Sequence, residues 1–460
     1  MPKLALSMIV RDASSTLGAC LASAKNVVDE IVIADTGSKD RTPEIAREYG
    51  ARVVEIPWKD DFAAARNEAL THVRSEWVLS LDADERLDPE SINFIPDLLR
   101  ANKVAGYLVT IRNYVTSLED RIWDRPAKPN TSSWRDAQFF PAYVEHENVR
   151  LFRRDARIRF AGRVHESVGP SIESAGLCLK PASFLIHHFG LAADPETRAR
   201  KNVFYRELGR QKILEMPDNP QAYLELGIVE LDNFGNVTEA LQHFGRACQL
   251  HPRMGVAWFF AGLAHFKLAE HREALECLKK AQKLGHRTSF VAETIGDAHY
   301  NLGEFPQSVR AYKQAAQSSR DSLLIESKLG LAVVRSGGVE AGLEKIRDTV
   351  RREPEQPELH DRLILSLVWL GRIAESAAAA EDKLRAVRLP RPSDFIRAGT
   401  LWANLGEWRR SAAVLHVGTV VYPRDPVLKQ ALSELAARAG AQVGDMLERL
   451  TADVQVAVSS

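Results

Sequence analysis

With 460 residues, 61 basic and 61 acidic side chains, the chain is long enough for two or three domains and carries no net charge at neutral pH. That balance gives no reason to expect nucleic acid or a strongly anionic surface as partner. No apolar run approaches the roughly 20 residues that span a bilayer and no leader precedes the first apolar strand, so a cytoplasmic protein without a transmembrane segment is expected. The four cysteines, Cys20, Cys178, Cys248 and Cys277, lack metal-ligand spacing and read as reduced core residues.

The first half alternates strand and helix. Leu4 to Val10 reads as a buried strand, and Glu30 to Asp35 as a second that hands over through Thr36-Gly37-Ser38-Lys39-Asp40-Arg41 to a helix. Thr42 is the expected cap of that helix, Pro43 suits its first position and Glu44 favours the positive end of its dipole. A third strand, Arg52 to Ile56, and a helix from Phe62 to Val73 lead into the strand Trp77-Val78-Leu79-Ser80-Leu81-Asp82-Ala83-Asp84-Glu85. Such alternation predicts a Rossmann-like, mostly parallel sheet covered on both faces, with ligands at the carboxyl ends of its strands. Asp35, Asp82 and Asp84 all fall at such ends. In an extended segment Asp82 and Asp84 point the same way, and paired hard oxygen ligands suit magnesium or manganese.

Four segments, in order, carry a resemblance: Ser7-Met8-Ile9-Val10-Arg11-Asp12, Ala34-Asp35-Thr36-Gly37-Ser38-Lys39-Asp40, Phe62-Ala63-Ala64-Ala65-Arg66-Asn67-Glu68-Ala69-Leu70 and Leu81-Asp82-Ala83-Asp84-Glu85. They are similar to the family 2 glycosyltransferases, which have the GT-A nucleotide-diphospho-sugar fold. A fifth part, Val149-Arg150-Leu151-Phe152-Arg153 followed by Phe160-Ala161-Gly162-Arg163-Val164-His165-Glu166, resembles the bacterial subgroup that includes lipopolysaccharide-core transferases. The resemblance covers roughly the first 190 residues. It implies that Asp35 bonds the uracil of a UDP-sugar, that the segment near Arg11 lines the same pocket and that Arg66 faces the nucleotide. It further implies that Asp82 lies near ribose and metal and that Asp84 ligates a manganese or magnesium ion bridging the two phosphates. Read without the family, Asp35 is a turn carboxylate before Gly37 and Arg66 an exposed helical arginine.

The family inverts the anomeric centre, so a carboxylate must deprotonate the acceptor. Glu166 is the first candidate and Asp136, after Trp134-Arg135, the second; an ion pair with a neighbouring arginine is the alternative for Glu166. The acidic base signature of many family members is not evident between them. His187 and His188 end the apolar run Ser183 to Ile186, and strand geometry sends them to opposite faces. His188 is the expected further metal ligand, against a histidine that is merely packed. Between Thr116 and Asn148 periodicity gives way to Trp123, Trp134, Phe139, Phe140 and Tyr143 among prolines, which predicts a long ordered loop. It is either a lid or acceptor platform, or ordinary packing on the sheet. The arginines from Arg150 to Arg163 meet diphosphate or an anionic acceptor, or form a charged strand face.

The second half repeats. Gly227, Gly262, Gly296, Gly330, Ile364 and Gly399 recur every 34 or 35 residues, each followed 12 or 13 residues on by Ala240, Ala274, Ser308, Gly342, Ser376 or Ser411. That is the tetratricopeptide pattern, in which small residues let antiparallel helices approach closely. The expected organisation is a GT-A domain over 1–192, an all-α tetratricopeptide-repeat solenoid over 193–450 with about six repeats and a cap, and a loose tail over 451–460. A helix from Arg200 to Leu214 is expected to dock on the first domain with almost no linker.

The leading reading is a metal-dependent inverting hexosyltransferase whose array recruits a peptide or protein acceptor or joins two copies of the chain. Bacteriocin S-glycosyltransferases resemble this layout of a family 2 domain followed by helical repeats. The alternatives are a cell-envelope transferase acting on lipopolysaccharide core or capsule saccharides, and a repeat scaffold with a degenerate nucleotide-sugar module.

Overall fold

The computed structural model describes residues 3–116, 121–122, 125–190, 195–318 and 322–440. They fall into two compact units, Met1–Ala257 and Trp258–Ser460, each taken here by itself. Trp123, the end of the expected cap and the tail over 451–460 lie outside the described residues.

The first unit opens as β1 (Leu4–Val10), α1 (Leu17–Ala24), β2 (Glu30–Asp35), α2 (Thr42–Glu48), β3 (Arg52–Glu55), α3 (Phe62–Thr71) and β4 (Trp77–Ser80). Then come β5 (Glu85–Leu87), α4 (Ile95–Leu99), β6 (Gly106–Val115), the short β7 (Arg121–Ile122), β8 (Arg125–Pro126) and β9 (Lys128–Pro129), β10 (Ala142–Arg153), α5 (Gly169–Ser174) and β11 (Leu179–His188). The main sheet runs β3-β2-β1-β4-β10-β6-β11-β5, with β9 on β10. From β3 to β4 all pairs are parallel; β10 then runs antiparallel to β4 and β6, while β11 is parallel to β6 and antiparallel to β5.

β1 is buried on both faces, as the interior of a covered parallel sheet requires. Leu4, Leu6 and Met8 pack with Leu17, Cys20 and Leu21 of α1, whereas Ala5 packs with Leu70 of α3 and Val73 just beyond it. Its registers set Val10 beside Asp35 and Ser7 beside Ser80, so the residues following β2 and β4 emerge at one edge of the sheet.

Several expectations change in detail. Thr42 is the first residue of α2 rather than its cap; its amide and hydroxyl both donate to Asp40 Oδ1, so the preceding carboxylate takes the capping role. The aromatic segment is shorter than expected, because Ala142 already enters β10. Its described rings pack inward, Trp134 on His187 at 4.4 Å and Phe140 on Tyr114 at 5.2 Å, with Phe139 left exposed. Cys20 and Cys248 are buried, but Cys178 is exposed in the loop between α5 and β11, where no second layer covers it.

The unit ends in α6 (Pro195–Glu215), α7 (Pro220–Asn233) and α8 (Val237–Leu250). The second unit continues the helical pairs: α9 (Gly255–Lys267) with α10 (His271–Lys283), α11 (Ser289–Asn301) with α12 (Phe305–Ser318), and α13 (Leu323–Arg335) with α14 (Val339–Arg352). It closes with α15 (Pro357–Trp369), α16 (Ile373–Ala386), α17 (Pro392–Asn404), α18 (Trp408–Val421) and α19 (Pro426–Ala439). No helix among the described residues is long and apolar enough to cross a membrane.

The recurrent small residues work as the period predicts. A Cβ on Gly262 would lie 2.7 Å from Leu278, on Gly296 2.6 Å from the Tyr312 ring and on Gly399 2.7 Å from Leu415. The second small residue of a pair closes the contact, as when Ser308 donates to the Gly296 carbonyl at 2.9 Å and Ser411 to that of Gly399 at 2.7 Å. Gly296→Ala tests this packing. Alanine gains about 1 kcal/mol of helix propensity, but overpacking costs about 1–3 kcal/mol. A lower melting temperature by circular dichroism is expected, and an unchanged or raised one would contradict the close approach.

Candidate functional site

α3 is a strong helix-forming run capped by Asp61, whose side chain accepts from the Ala64 amide at 2.8 Å. It buries Ala63, Arg66 and Leu70, which share one face at helical spacing. Arg66 is therefore not an exposed helical arginine. Its Nη2 donates to Asp82 Oδ1 and its Nε to Glu166 Oε1, each at 2.5 Å, and its Nη1 reaches Ser80 Oγ at 3.2 Å. Burial opposes the charge of its guanidinium, but Asp82 and Glu166 outweigh burial and hold it protonated.

Asp82 and Asp84 do not point the same way. β4 ends at Ser80, and the Glu85 amide donates to the Asp82 carbonyl at 3.0 Å, so both aspartates lie in a turn where period-two alternation no longer applies. Asp82 faces Arg66 on one side and Arg150 Nη2 on the other, the latter at 2.9 Å from its Oδ2. Despite burial, Arg150 and then Arg66 keep its carboxyl far below the usual range. With both oxygens taken by guanidinium groups, Asp82 is occupied as an arginine partner. Arg150 also donates to Glu85 Oε1 at 2.6 Å, and Glu85 Oε2 accepts from the Asp82 amide at 2.9 Å. Burial pushes the Glu85 carboxyl up, against the pull of Arg150.

Asp84 turns instead to His188, whose Nε2 lies 3.5 Å from its Oδ1. The sheet arranges this, because β11 pairs with β5 so that His188 stands opposite Glu85, next in sequence to Asp84, and with β6 so that it stands opposite Asn113. Asn113 Oδ1 lies 2.7 Å from His188 Nδ1, which must therefore carry the proton and leave Nε2 toward Asp84. Asn113 Nδ2 in turn donates to His146 Nδ1 at 2.8 Å. Burial works against the charge of His188, yet Asp84 outweighs it and raises the imidazole; the Asp84 carboxyl is lowered by the same contact. A Cβ on Gly190 would fall on Asp84 Oδ2 and lie 2.6 Å from His188 Nε2, so this pocket exists because residue 190 has no side chain. His187 takes the opposite face, against Tyr114 Oη at 2.8 Å and Asp88 at 3.1 Å.

Among the described residues no three histidine, cysteine, aspartate or glutamate side chains converge as a metal cluster. One carboxylate, Asp84, and one imidazole with its Nε2 directed inward, His188, still suit a magnesium or manganese ion whose other ligands are phosphate and water oxygens.

At the end of β2, Asp35 is 3% exposed. Its Oδ1 accepts from the Gly37 and Ser38 amides at 2.8 and 2.7 Å, which is the turn role, while its Oδ2 is buried with no partner among the described residues. A buried acceptor left open is costly unless a ligand fills it. The Arg11 segment borders this loop, since the Asp12 amide donates to Ser38 Oγ and Asp12 accepts from the Lys39 amide; Arg11 itself is about half exposed. Asp136 pairs with Arg86 at 2.5 Å, and among the described residues no hydrogen bond or ion pair joins it to Glu166. Glu166 is in an ion pair, with Arg66 of α3 rather than with an arginine near it in the sequence. The remaining arginines serve the fold: Arg153 covers Trp77 at 4.5 Å and Arg154 donates to the Ser75 carbonyl at 2.9 Å.

Sequence reasoning did not assign roles to Asn113, Gly190 or Glu85, and left Arg150 among several arginines. Only Arg150 had a usable signal, as a cation set between the apolar Val149 and Leu151 within a strand.

Residues 7–159 match the family described as Glycosyl transferase family 2, and the helices after them follow the tetratricopeptide period. The chain thus joins a family 2 glycosyl transferase domain to tetratricopeptide repeats. Among curated proteins, a TPR repeat-containing protein of Synechococcus elongatus is 32% identical over 42% of this chain and 55% of its own length. The SPbeta prophage-derived glycosyltransferase SunS of Bacillus subtilis is 26% identical, covering 48% of this chain and 47% of that protein. The lipopolysaccharide core biosynthesis glycosyltransferase LpsC of Rhizobium meliloti is 31% identical over 37% and 59%. The chain spans about half the length of the curated relatives it matches. A solved tetratricopeptide repeat protein from Parabacteroides merdae is 14% identical, with a TM-score of 0.42 over 52% of this chain and 94% of that one.

Two outcomes follow for stability. Arg66→Ala leaves the mostly buried Glu166 without its ion-pair partner and takes from the partly exposed Asp82 one of its two guanidinium groups, so a clear fall in melting temperature is expected. His146 is pushed down to about 4, first by burial and then by Arg150, His188 and Arg125. Between its ordinary value of 6.5 and about 4 the unfolded chain binds a proton that the folded chain refuses, so stability falls as pH drops through that window. His146→Gln should flatten this part of a melting-temperature profile against pH.

Proposed function

We propose that the chain is a metal-dependent inverting glycosyltransferase that moves a hexose from a UDP-sugar to an acceptor recruited by its repeats, with residues 1–192 as the transferase and 193–450 as the array. The observation that carries this reading is the unpartnered, buried Oδ2 of Asp35 at the same sheet edge as Asp84 and His188. The first is an open acceptor for a base N–H, as uracil offers at N3; the second is a site for a cation beside phosphate.

In this reading Arg11 borders the base. Arg66 and Arg150 hold Asp82 ionised and fix the turn that aims Asp84, with Asp82 beside the ribose. Asp84 and His188 would hold a manganese or magnesium ion, which would supply Lewis-acid neutralisation of the diphosphate leaving group. Glu166 uses one oxygen on Arg66 and has the other for the acceptor proton; Asp136 is the second candidate. As the base takes the proton, the acceptor oxygen or sulfur bonds the anomeric carbon and the bond to UDP breaks on the opposite face.

A helical array offers an extended surface suited to a peptide or protein, and also to a second copy of the chain. The likeness to LpsC supports a second reading, a lipopolysaccharide-core or capsule saccharide as acceptor. A cytoplasmic location, where UDP-sugars are made, goes with both.

Turnover of a UDP-sugar panel with manganese, read as UDP release, tests the proposal. Asp84→Ala should lower kcat by about 100-fold or more, and chelation should do the same to the unchanged protein. If the unchanged protein neither binds nor turns over any UDP-sugar, the module is a non-catalytic part of a scaffold. Mass spectrometry of material co-purifying with the full chain separates the acceptors, peptide for the first reading and saccharide lipid for the second.

A further inference from the structure

α6 opens the helical array, yet one face of it packs on α3 and on the segment just before Glu166. Tyr205 stacks on Phe62 of α3 with ring centroids 5.9 Å apart and 21° between planes, and on His165 at 6.4 Å and 14°. Burial raises its phenol well above the ordinary value, and the charges of Asp82, Glu166 and Asp84, in that order, raise it further, so the hydroxyl is held as a neutral donor within their electrostatic reach. Among the described residues none takes a hydrogen bond from it. One turn earlier on the same face, the exposed ammonium of Lys201 acts on Asp84.

α6 is also fastened where it crosses the segment that carries Glu166. The buried Lys212 donates to the Val164 carbonyl at 3.1 Å and to Glu225 of α7 at 2.7 Å. Arg163 grips Glu215 through two bonds and donates to the Asp60 carbonyl at 2.7 Å. Between these fastenings His165 is held at φ 54°, a left-handed conformation unusual for a residue with a Cβ. A segment strained and clamped in this way is built to hold its neighbours in place.

Resting on the donor reading given above, we propose that α6 completes the donor pocket from the repeat side: the Tyr205 hydroxyl donates to a diphosphate oxygen of the nucleotide, with Lys201 as the accompanying cation. Diphosphate oxygens are acceptors only, and Arg66 and Arg150 are already engaged by Asp82, Glu166 and Glu85, so a further neutral donor and cation would serve the diphosphate beside those carboxylates.

The test is equilibrium binding of UDP and of uridine to the full chain with manganese, using the unchanged protein, Tyr205→Phe and Lys201→Ala. Tyr205→Phe keeps the stacked ring and removes only the donor. UDP binding should weaken by about tenfold in Tyr205→Phe, and by severalfold in Lys201→Ala, with uridine binding and melting temperature unchanged. If the unchanged protein binds UDP and Tyr205→Phe binds it equally well, or if uridine binding weakens in step with UDP, this inference is overturned while the donor reading stands. If the unchanged protein binds neither ligand, the donor reading fails and takes the inference with it.

Discussion

The site depends on one carboxylate, Asp82, held between two buried guanidinium groups. Arg66 and Arg150 reach it from α3 and β10 and extend the network to Glu166 and Glu85. Two arginines and three carboxylates confined in this way are expensive to desolvate, and each tolerates burial because the others are present. The consequence is geometric. A turn that would otherwise be a mobile link between β4 and β5 is pinned at its first residue, so Asp84 has one direction in which to point.

That direction leads to a second, lighter network. His188 is oriented by Asn113, and Asn113 by the neutral His146, so the nitrogen facing Asp84 is chosen three side chains away. Gly190 leaves the room this pair needs. The division of labour between the aspartates follows: Asp82 organises the turn between two guanidinium groups, and Asp84 faces the imidazole of His188. A motif with two carboxylates separated by one residue therefore need not be two equivalent ligands, and here their partners differ in charge, burial and strand of origin.

The repeat array enters the same argument through α6. Its buried Lys212 and the Arg163–Glu215 pair tie the start of the array to the chain segment before Glu166. Tyr205 of the same helix stacks on Phe62 and His165, so the first helix of the array and the segment before Glu166 are fixed in one arrangement.

Much was legible in the sequence because it rests on local periodicity. Strand–helix alternation requires only apolar runs and turn residues, and the 34-residue spacing of Gly262, Gly296 and Gly330 requires only that helices pack at a constant offset. Asp35 and His188 were visible as strand ends, and Asp82 and Asp84 as carboxylates closing an apolar run, although the structure sets those two in the turn after β4. What no local pattern contains is which side chain meets which across the sheet: Arg66 finds Glu166 at a separation of 100 residues and Arg150 finds Asp82 at 68. Those pairings follow from the order β4-β10-β6-β11-β5, where antiparallel strands enter an otherwise parallel sheet, and from the turn that separates the two aspartates. The chain by itself determined its elements and its chemically able residues; only the folded sheet decided their partners, because burial makes a charge's pairing a property of three-dimensional neighbours rather than of sequence spacing.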